Sequence, residues 1–229
     1  MDVSKNGAST SELQPSILKR VSLIITAPKD GMSLAAQTPM LLGWLVILVI
    51  SAMIIYIPQR PMFLKMTMTA IENSKETYSA DQVDQLLKGG ANAAMFMSMF
   101  YFVCTPMFKG LVAFALATLL NGTGKVKATI GVVMNAYLIM LIGQIIRMVI
   151  VLATGNPYFS LSPAMFLSAG QETSQLFAVL SAVDLFAIWY LAVSMIGIKQ
   201  VHGFNFAKSF AVTFGPWLLM LALGVAGLA

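Results

Sequence analysis

The eighteen residues from Met40 to Ile57 (MLLGWLVILVISAMIIYI) carry no charge, follow Pro39 and are closed by Pro58 and Arg60. Four more apolar runs follow, over 91–120, 128–153, 176–198 and 206–228. A helix crosses a bilayer in about 20 residues, so each run is long enough or nearly so. The whole chain is 58% hydrophobic and 10% charged, where about a quarter charged is ordinary in water. A chain of 229 residues has too little interior to hide that much apolar surface. Composition therefore excludes an ordinary soluble enzyme, a disordered chain and a secreted disulfide scaffold. The expected fold is all-α: a polytopic integral membrane helical bundle of five transmembrane helices plus short interfacial or amphipathic helices. Residues 1–36 read as a cytoplasmic N-terminal segment with an interfacial helix, and 37–229 as the membrane domain.

The second run exceeds one perpendicular span. Pro106 should kink it or divide it into two half-helices, and Lys109 should snorkel toward the headgroups. The turn Asn121-Gly-Thr-Gly ends it. The third run carries Asn135, Gln144 and Arg147, and the fourth carries Asp184. The fifth has Lys208 at its start and Gly215-Pro216, which should bend it, in its middle; the chain ends with this run, so no folded segment is expected after it.

Two further pieces read as helices. In Ser11–Thr26, Ile17, Val21, Ile24 and Ile25 recur at helical spacing beside Lys19 and Arg20. That pattern suits either a helix lying in the membrane interface, with Lys19 and Arg20 as its basic residues, or a helix packed on the bundle. Pro28 should end it. Ser79–Lys88 opens with a capping box, Ser79 with Gln82, and Gly89-Gly90 should stop it.

Orientation follows from lysine and arginine. The N-terminal segment has Lys5, Lys19, Arg20 and Lys29; the second loop has Lys125 and Lys127; the fourth has Lys199 and Lys208 with His202. The third loop has no Lys or Arg and one acid, Glu172. The first loop argues the other way, with Arg60, Lys65, Lys75 and Lys88 offset by Glu72, Glu76, Asp81 and Asp84. The balance places the N-terminus inside and the C-terminus outside. Residues 1–16 lack the basic and apolar regions of a secretory signal, so the first membrane helix is expected to direct insertion.

Arg147 and Asp184 are the costly residues, at about 2.5–3.5 kcal/mol each at a helix centre and less toward the interface. In this topology they lie at similar depth, and a hydrogen-bonded pair would relieve much of that cost. Gln144 lies one turn from Arg147 and Ser181 one turn from Asp184. These four residues form the candidate intramembrane polar network. It reads either as packing between the third and fourth spans or as a site for an ion, a proton or a lipid headgroup.

Other chemistry is thin. One cysteine, Cys104, excludes an intramolecular disulfide and a cysteine-cluster metal site, and one histidine, His202, leaves no triad. Asn121-Gly-Thr reads as a turn and the first-loop acids as a solvated face. The 17 methionines read as apolar filler rather than thioether ligands. No catalytic residue, cofactor, metal or nucleic-acid partner is expected.

The stretch Asp184–Ser209 (DLFAIWYLAVSMIGIKQVHGFNFAKS) resembles the late segment of the Yip1 domain: an Asp-Leu-Phe, a Trp on the same helix, then Gly-Ile, a short Gly loop and a Lys-Ser helix start. The turn Asn121–Lys127 with the third span, and the N-terminal LKRVSLIITAPKDGM, are also similar to that family, so the likeness runs from about Ile17 to the end. The resemblance implies a five-helix membrane protein without known catalysis. Eukaryotic relatives bind Rab-type GTPases and carry a long cytosolic region and an Asp-Leu-Tyr-Gly-Pro motif, neither of which is seen here. The resemblance thus implies a bacterial or archaeal cytoplasmic membrane. It also implies a scaffold or accessory role, with an ABC-type exporter or another membrane protein, or further copies of the chain, as partner in the bilayer. A small oligomeric channel or transporter using Asp184 and Arg147 is the alternative.

Overall fold

The capping box at Ser79 starts a helix of forty residues, four times the expected length. Ser79 Oγ accepts from the Gln82 amide while Gln82 returns a bond to the Ser79 amide, and the helix they open runs from Ala80 to Leu119. At about 1.5 Å per residue it is roughly 60 Å long, twice a hydrocarbon core. The computed structural model of the chain describes residues 16–74, 76–167, 170–171 and 174–226.

Among the described residues ten α-helices follow in order: α1 (Ile17–Thr26), α2 (Pro28–Gln37), α3 (Leu41–Tyr56), α4 (Arg60–Glu72), α5 (Ala80–Leu119), α6 (Val126–Ala136), α7 (Leu138–Thr154), α8 (Gln175–Ala182), α9 (Leu185–His202) and α10 (Phe206–Val225). A single 3-10 turn, Pro163–Phe166, precedes α8, and there are no strands among the described residues. Among the described residues, four segments are long and apolar enough to cross a membrane: α5, α6 with α7, α9 and α10. The α2–α3 pair, bent by 117°, makes a fifth if it counts as one span. The helical membrane bundle read from the sequence is the fold.

Several local expectations need correction. Gly89-Gly90 does not stop the capped helix. Its first turns pack along α4 as a hairpin, and a Cβ on Gly90 would lie 3.0 Å from Thr67 Cγ2. Close approach explains a glycine at 90, and the helix formers Ala91, Ala93 and Ala94 carry the backbone onward. α5 also runs through Pro106 unbroken, so there are no half-helices. Gly215-Pro216, expected to bend the fifth helix rather than end it, lies inside α10.

The fourth run, expected as one span from 176 to 198, is divided. α8 stops at Ala182 and α9 starts at Leu185, so the long helix lies later, ending at His202. Asp184 is extended (φ −79, ψ 138) and caps α9. An aspartate is a poor helix-interior residue and a good N-cap. Trp217 Nε1 meets the other side of the break, donating to the Ala182 carbonyl at 3.1 Å.

α6 is the axis of the bundle. Every residue from Thr129 to Ala136 is buried, with α2, α3, α5 and α9 packed around it. A helix apolar on all sides belongs inside. Glycines admit the neighbours: a Cβ on Gly110 would reach Ile130 Cα at 2.9 Å, and one on Gly197 would reach Val132 Cβ at 2.7 Å. The outer faces are apolar instead. Leu42, Val46, Val49, Ile50, Met53, Ile54 and Ile57 make an exposed stripe along α3, the surface a lipid-facing helix presents.

The two ends differ. At one, α4 and the start of α5 form the hairpin, with Arg60 Nε donating to Asn92 Oδ1 at 3.3 Å. At the other meet the α1–α2, α5–α6 and α9–α10 connections. There Gln200 Nε2 donates to the Lys29 carbonyl at 2.9 Å and Lys208 Nζ to the Leu120 carbonyl at 2.9 Å. Lys29, Lys125, Lys127, Lys199 and Lys208 gather at this lysine end.

Candidate functional site

The four residues of the expected polar network do not converge. Arg147 lies in α7 but turns to the segment that follows, donating from Nε to the Phe159 carbonyl at 2.8 Å and from Nη2 to the Pro157 carbonyl at 2.9 Å. Asp184 Oδ1 accepts from the Phe186 and Ala187 amides at 2.8 and 3.0 Å. Lys88–Asp84 is the ion pair among the described residues, so the Arg147–Asp184 pair is not formed. Each charge has met backbone instead: helix N-termini offer free amides to a carboxylate, and a chain leaving a helix offers free carbonyls to a guanidinium. Gln144 is half-buried beside Arg147, and Ser181 Oγ is buried with no hydrogen-bond partner in the structure.

The basic pair of α1 also divides. Lys19 is exposed, while Arg20 is 2% exposed and reaches back to the end of α2. Its Nη1 donates to the Thr38 carbonyl at 2.9 Å and its Nη2 to Thr38 Oγ1. Arg20 is thus not an outward interface residue but supplies donors at the C-terminal end of α2, where carbonyls lack them. Burial pushes its guanidinium below its usual value. The outward face of α1 is the apolar one, with Leu18 80% exposed.

Three arrangements went unseen in the sequence. The first is a lock at the lysine end. The Gly124 amide donates to His202 Nδ1 at 3.2 Å, which leaves Nε2 as the protonated nitrogen, 2.9 Å from Thr129 Oγ1. Thr129 Oγ1 passes the chain on to the Lys125 carbonyl at 3.0 Å. Gly122 and Gly124 are needed here, because a Cβ on either would strike His202, Phe204 or Val201. A Gly-x-Gly turn and a lone histidine at a helix end were the available signal; their pairing was not.

The second is Asn135, buried in the axis helix. Its Nδ2 donates to the Gly131 carbonyl at 2.8 Å and to the Pro39 carbonyl at 3.4 Å, where α2 turns into α3.

The third concerns Lys109. Its Nζ lies 5.0 Å from the centroid of the Tyr190 ring, across on α9. Tyr190 continues an aromatic file through Tyr137 (5.7 Å), Phe102 (5.5 Å) and Tyr56 (6.0 Å). Lys109 is eleven residues before the C-cap Leu120 and Tyr190 twelve before His202. At about 1.5 Å per residue both lie about 16–18 Å along their helices from the lysine end. An ammonium there gains little from a ring face, about 0.5–2 kcal/mol, against the cost of leaving water.

The arrangement can hold helices and connections in place, and it sets the Lys109 ammonium against the Tyr190 ring. Among the described residues, no three His, Cys, Asp or Glu side chains group together. Residues 22–227 match the family model of the Yip1 domain. No curated protein and no solved structure matches the chain.

Proposed function

Since the chain belongs to the Yip1 domain family, a family of membrane proteins not known as enzymes, we propose that it is a non-catalytic scaffold or accessory subunit of a larger membrane assembly. One observation carries this reading: four polar side chains of the bundle, Arg147, Asp184, Asn135 and His202, bond to its own backbone. Arg147 holds the chain after α7, Asp184 caps α9, Asn135 holds the α2–α3 turn and His202 holds the α5–α6 turn. A transporter leaves such groups and its helix termini open to cargo. The α8–α9 break resembles a discontinuous transport helix, but Asp184 already occupies its N-terminus. This supports the scaffold over an oligomeric channel.

The lysine end is the cytoplasmic one in this reading, and a bacterial or archaeal cytoplasmic membrane is its place. An ABC-type exporter is one partner that fits.

The test is purification from native membranes into nanodiscs, with mass spectrometry of protein and lipid, alongside ion flux in liposomes. A stoichiometric membrane-protein partner and flux no greater than that of empty liposomes are expected. A homo-oligomer whose flux is lost in Asp184→Asn would overturn the scaffold in favour of the channel.

A further inference from the structure

We infer that the lysine end of the bundle binds the phosphates of anionic lipids at the edge of the bilayer. The inference depends neither on the scaffold reading nor on which way the chain is inserted.

The fold gathers lysines that are far apart in sequence. Gln200 Nε2 donates to the Lys29 carbonyl at 2.9 Å, which brings Lys29 to the turn of α9 that carries Lys199. Gly124 packs against Val201, which brings Lys125 to the same turn. Lys208 Nζ holds the Leu120 carbonyl, where the chain leaves α5 for Lys125 and Lys127. All five lysines are exposed, and none is in an ion pair among the described residues.

Their charge is not balanced locally. Among the described residues the acid here is Asp30. The acids outside the described residues are Asp2, Glu12 and Glu172, and all four together would still be fewer than the five lysines. The hairpin end differs. There Arg60, Lys65 and Lys88 face Glu72, Glu76, Asp81 and Asp84, and Lys88 pairs with Asp84 at 2.9 Å.

The apolar neighbours of the lysines select lipid over a soluble acidic partner. Val126, between Lys125 and Lys127, is 40% exposed, Leu119 is 77% exposed and Phe206 is 64% exposed. α9 ends and α10 starts at this end. At about 1.5 Å per residue they are about 27 and 30 Å long, one hydrocarbon core, so in crossing it they end at its edge. At that edge a lysine stem lies along apolar surface while its ammonium reaches the headgroups. A cluster of about four to eight basic residues beside membrane helices is what attracts anionic headgroups.

The experiment reconstitutes the full chain in nanodiscs of mixed phosphatidylglycerol and phosphatidylcholine. Native mass spectrometry then reads which lipid stays on the protein. Phosphatidylglycerol should be retained over phosphatidylcholine about fivefold or more, the attraction of one lysine near a charged surface. Added salt should lower that ratio. Lys125→Gln, Lys127→Gln and Lys199→Gln combined should bring it down to the ratio of the mixture, and arginine at the same three positions should preserve it. All three side chains are exposed and Lys208, which holds Leu120, is left in place, so the fold should survive, as melting will read. Lys65→Gln with Lys88→Gln, at the hairpin end, should leave the ratio unchanged.

Equal retention of the two lipids by the native chain would overturn the inference, as would an unchanged ratio in the glutamine variant. An equal fall in the hairpin variant would overturn it too, because the effect would then belong to net charge and not to the lysine end. Loss of an acidic protein partner from native membranes in the glutamine variant, with the lipid ratio unchanged, would make this end a protein-docking surface instead.

Discussion

His202 Nε2 stands 2.9 Å from Thr129 Oγ1, joining the last residue of α9 to the first turn of the axis helix. With Nδ1 accepting from Gly124, the ring satisfies groups on two sides, and each loses its partner if the ring is removed. His202→Ala should cost about 1–3 kcal/mol, the range for buried groups left unpaired. Gly124→Ala should be at least as damaging, because its Cβ strikes Val201 and His202. Thermal unfolding in nanodiscs measures both; an unchanged melting temperature in His202→Ala would mean the lock contributes nothing.

Asp184 acts as a cap, so its removal has a limited cost. Asp184→Ala should destabilise by about 1 kcal/mol and Asp184→Asn by less. Because Arg147 bonds to Pro157 and Phe159 instead, the losses of Arg147→Ala and Asp184→Ala should add to within about 0.5 kcal/mol. A double-mutant cycle decides. Coupling well above that would mean the two charges pair directly.

The neighbouring glycines of the hairpin should behave differently. Nothing lies within 4 Å of a Cβ on Gly89, so Gly89→Ala should stabilise by about 0.5–1 kcal/mol through helix propensity alone. Gly90→Leu should destabilise, because its side chain enters the contact with Thr67. Equal responses would mean that α4 does not pack there.

Arg20→Lys should not behave as a conservative change. The guanidinium meets both the carbonyl and the hydroxyl of Thr38, a fork that one ammonium reproduces poorly. A loss of about 1–3 kcal/mol is expected for Arg20→Met, with Arg20→Lys recovering less than half. Melting temperatures of the two variants check this.

Orientation is open to a direct assay. A phosphatase fused after Ala229 should be active and a fluorescent protein fused there dark, since the lysine end faces the cytoplasm in the proposed topology. The reverse pattern would invert the bundle.

Four of the spans were legible because lipid leaves a linear record: long apolar runs such as that of α10 need no partner to be recognised. The capping box at Ser79 was legible because its two bonds lie within four residues. Gly89-Gly90 misled for the complementary reason, since a glycine that admits a neighbour looks like a glycine that ends a helix. Asp184 was read as a charge in a span because the apolar run continues past it, yet a cap needs only two free amides. Arg20, His202 and Lys109 depend on residues 18, 78 and 81 positions away, at Thr38, Gly124 and Tyr190. Local periodicity does not record such distances.

α5 has a mechanical consequence. It is one uninterrupted rod from the hairpin to the turn where Lys208 grips Leu120 and His202 grips Gly124. A continuous helix carries a tilt at one tip toward the other, with Pro106 the point at which it can flex. Whatever grasps the hairpin on one side of the membrane holds a lever whose short arm ends among the lysines on the opposite side.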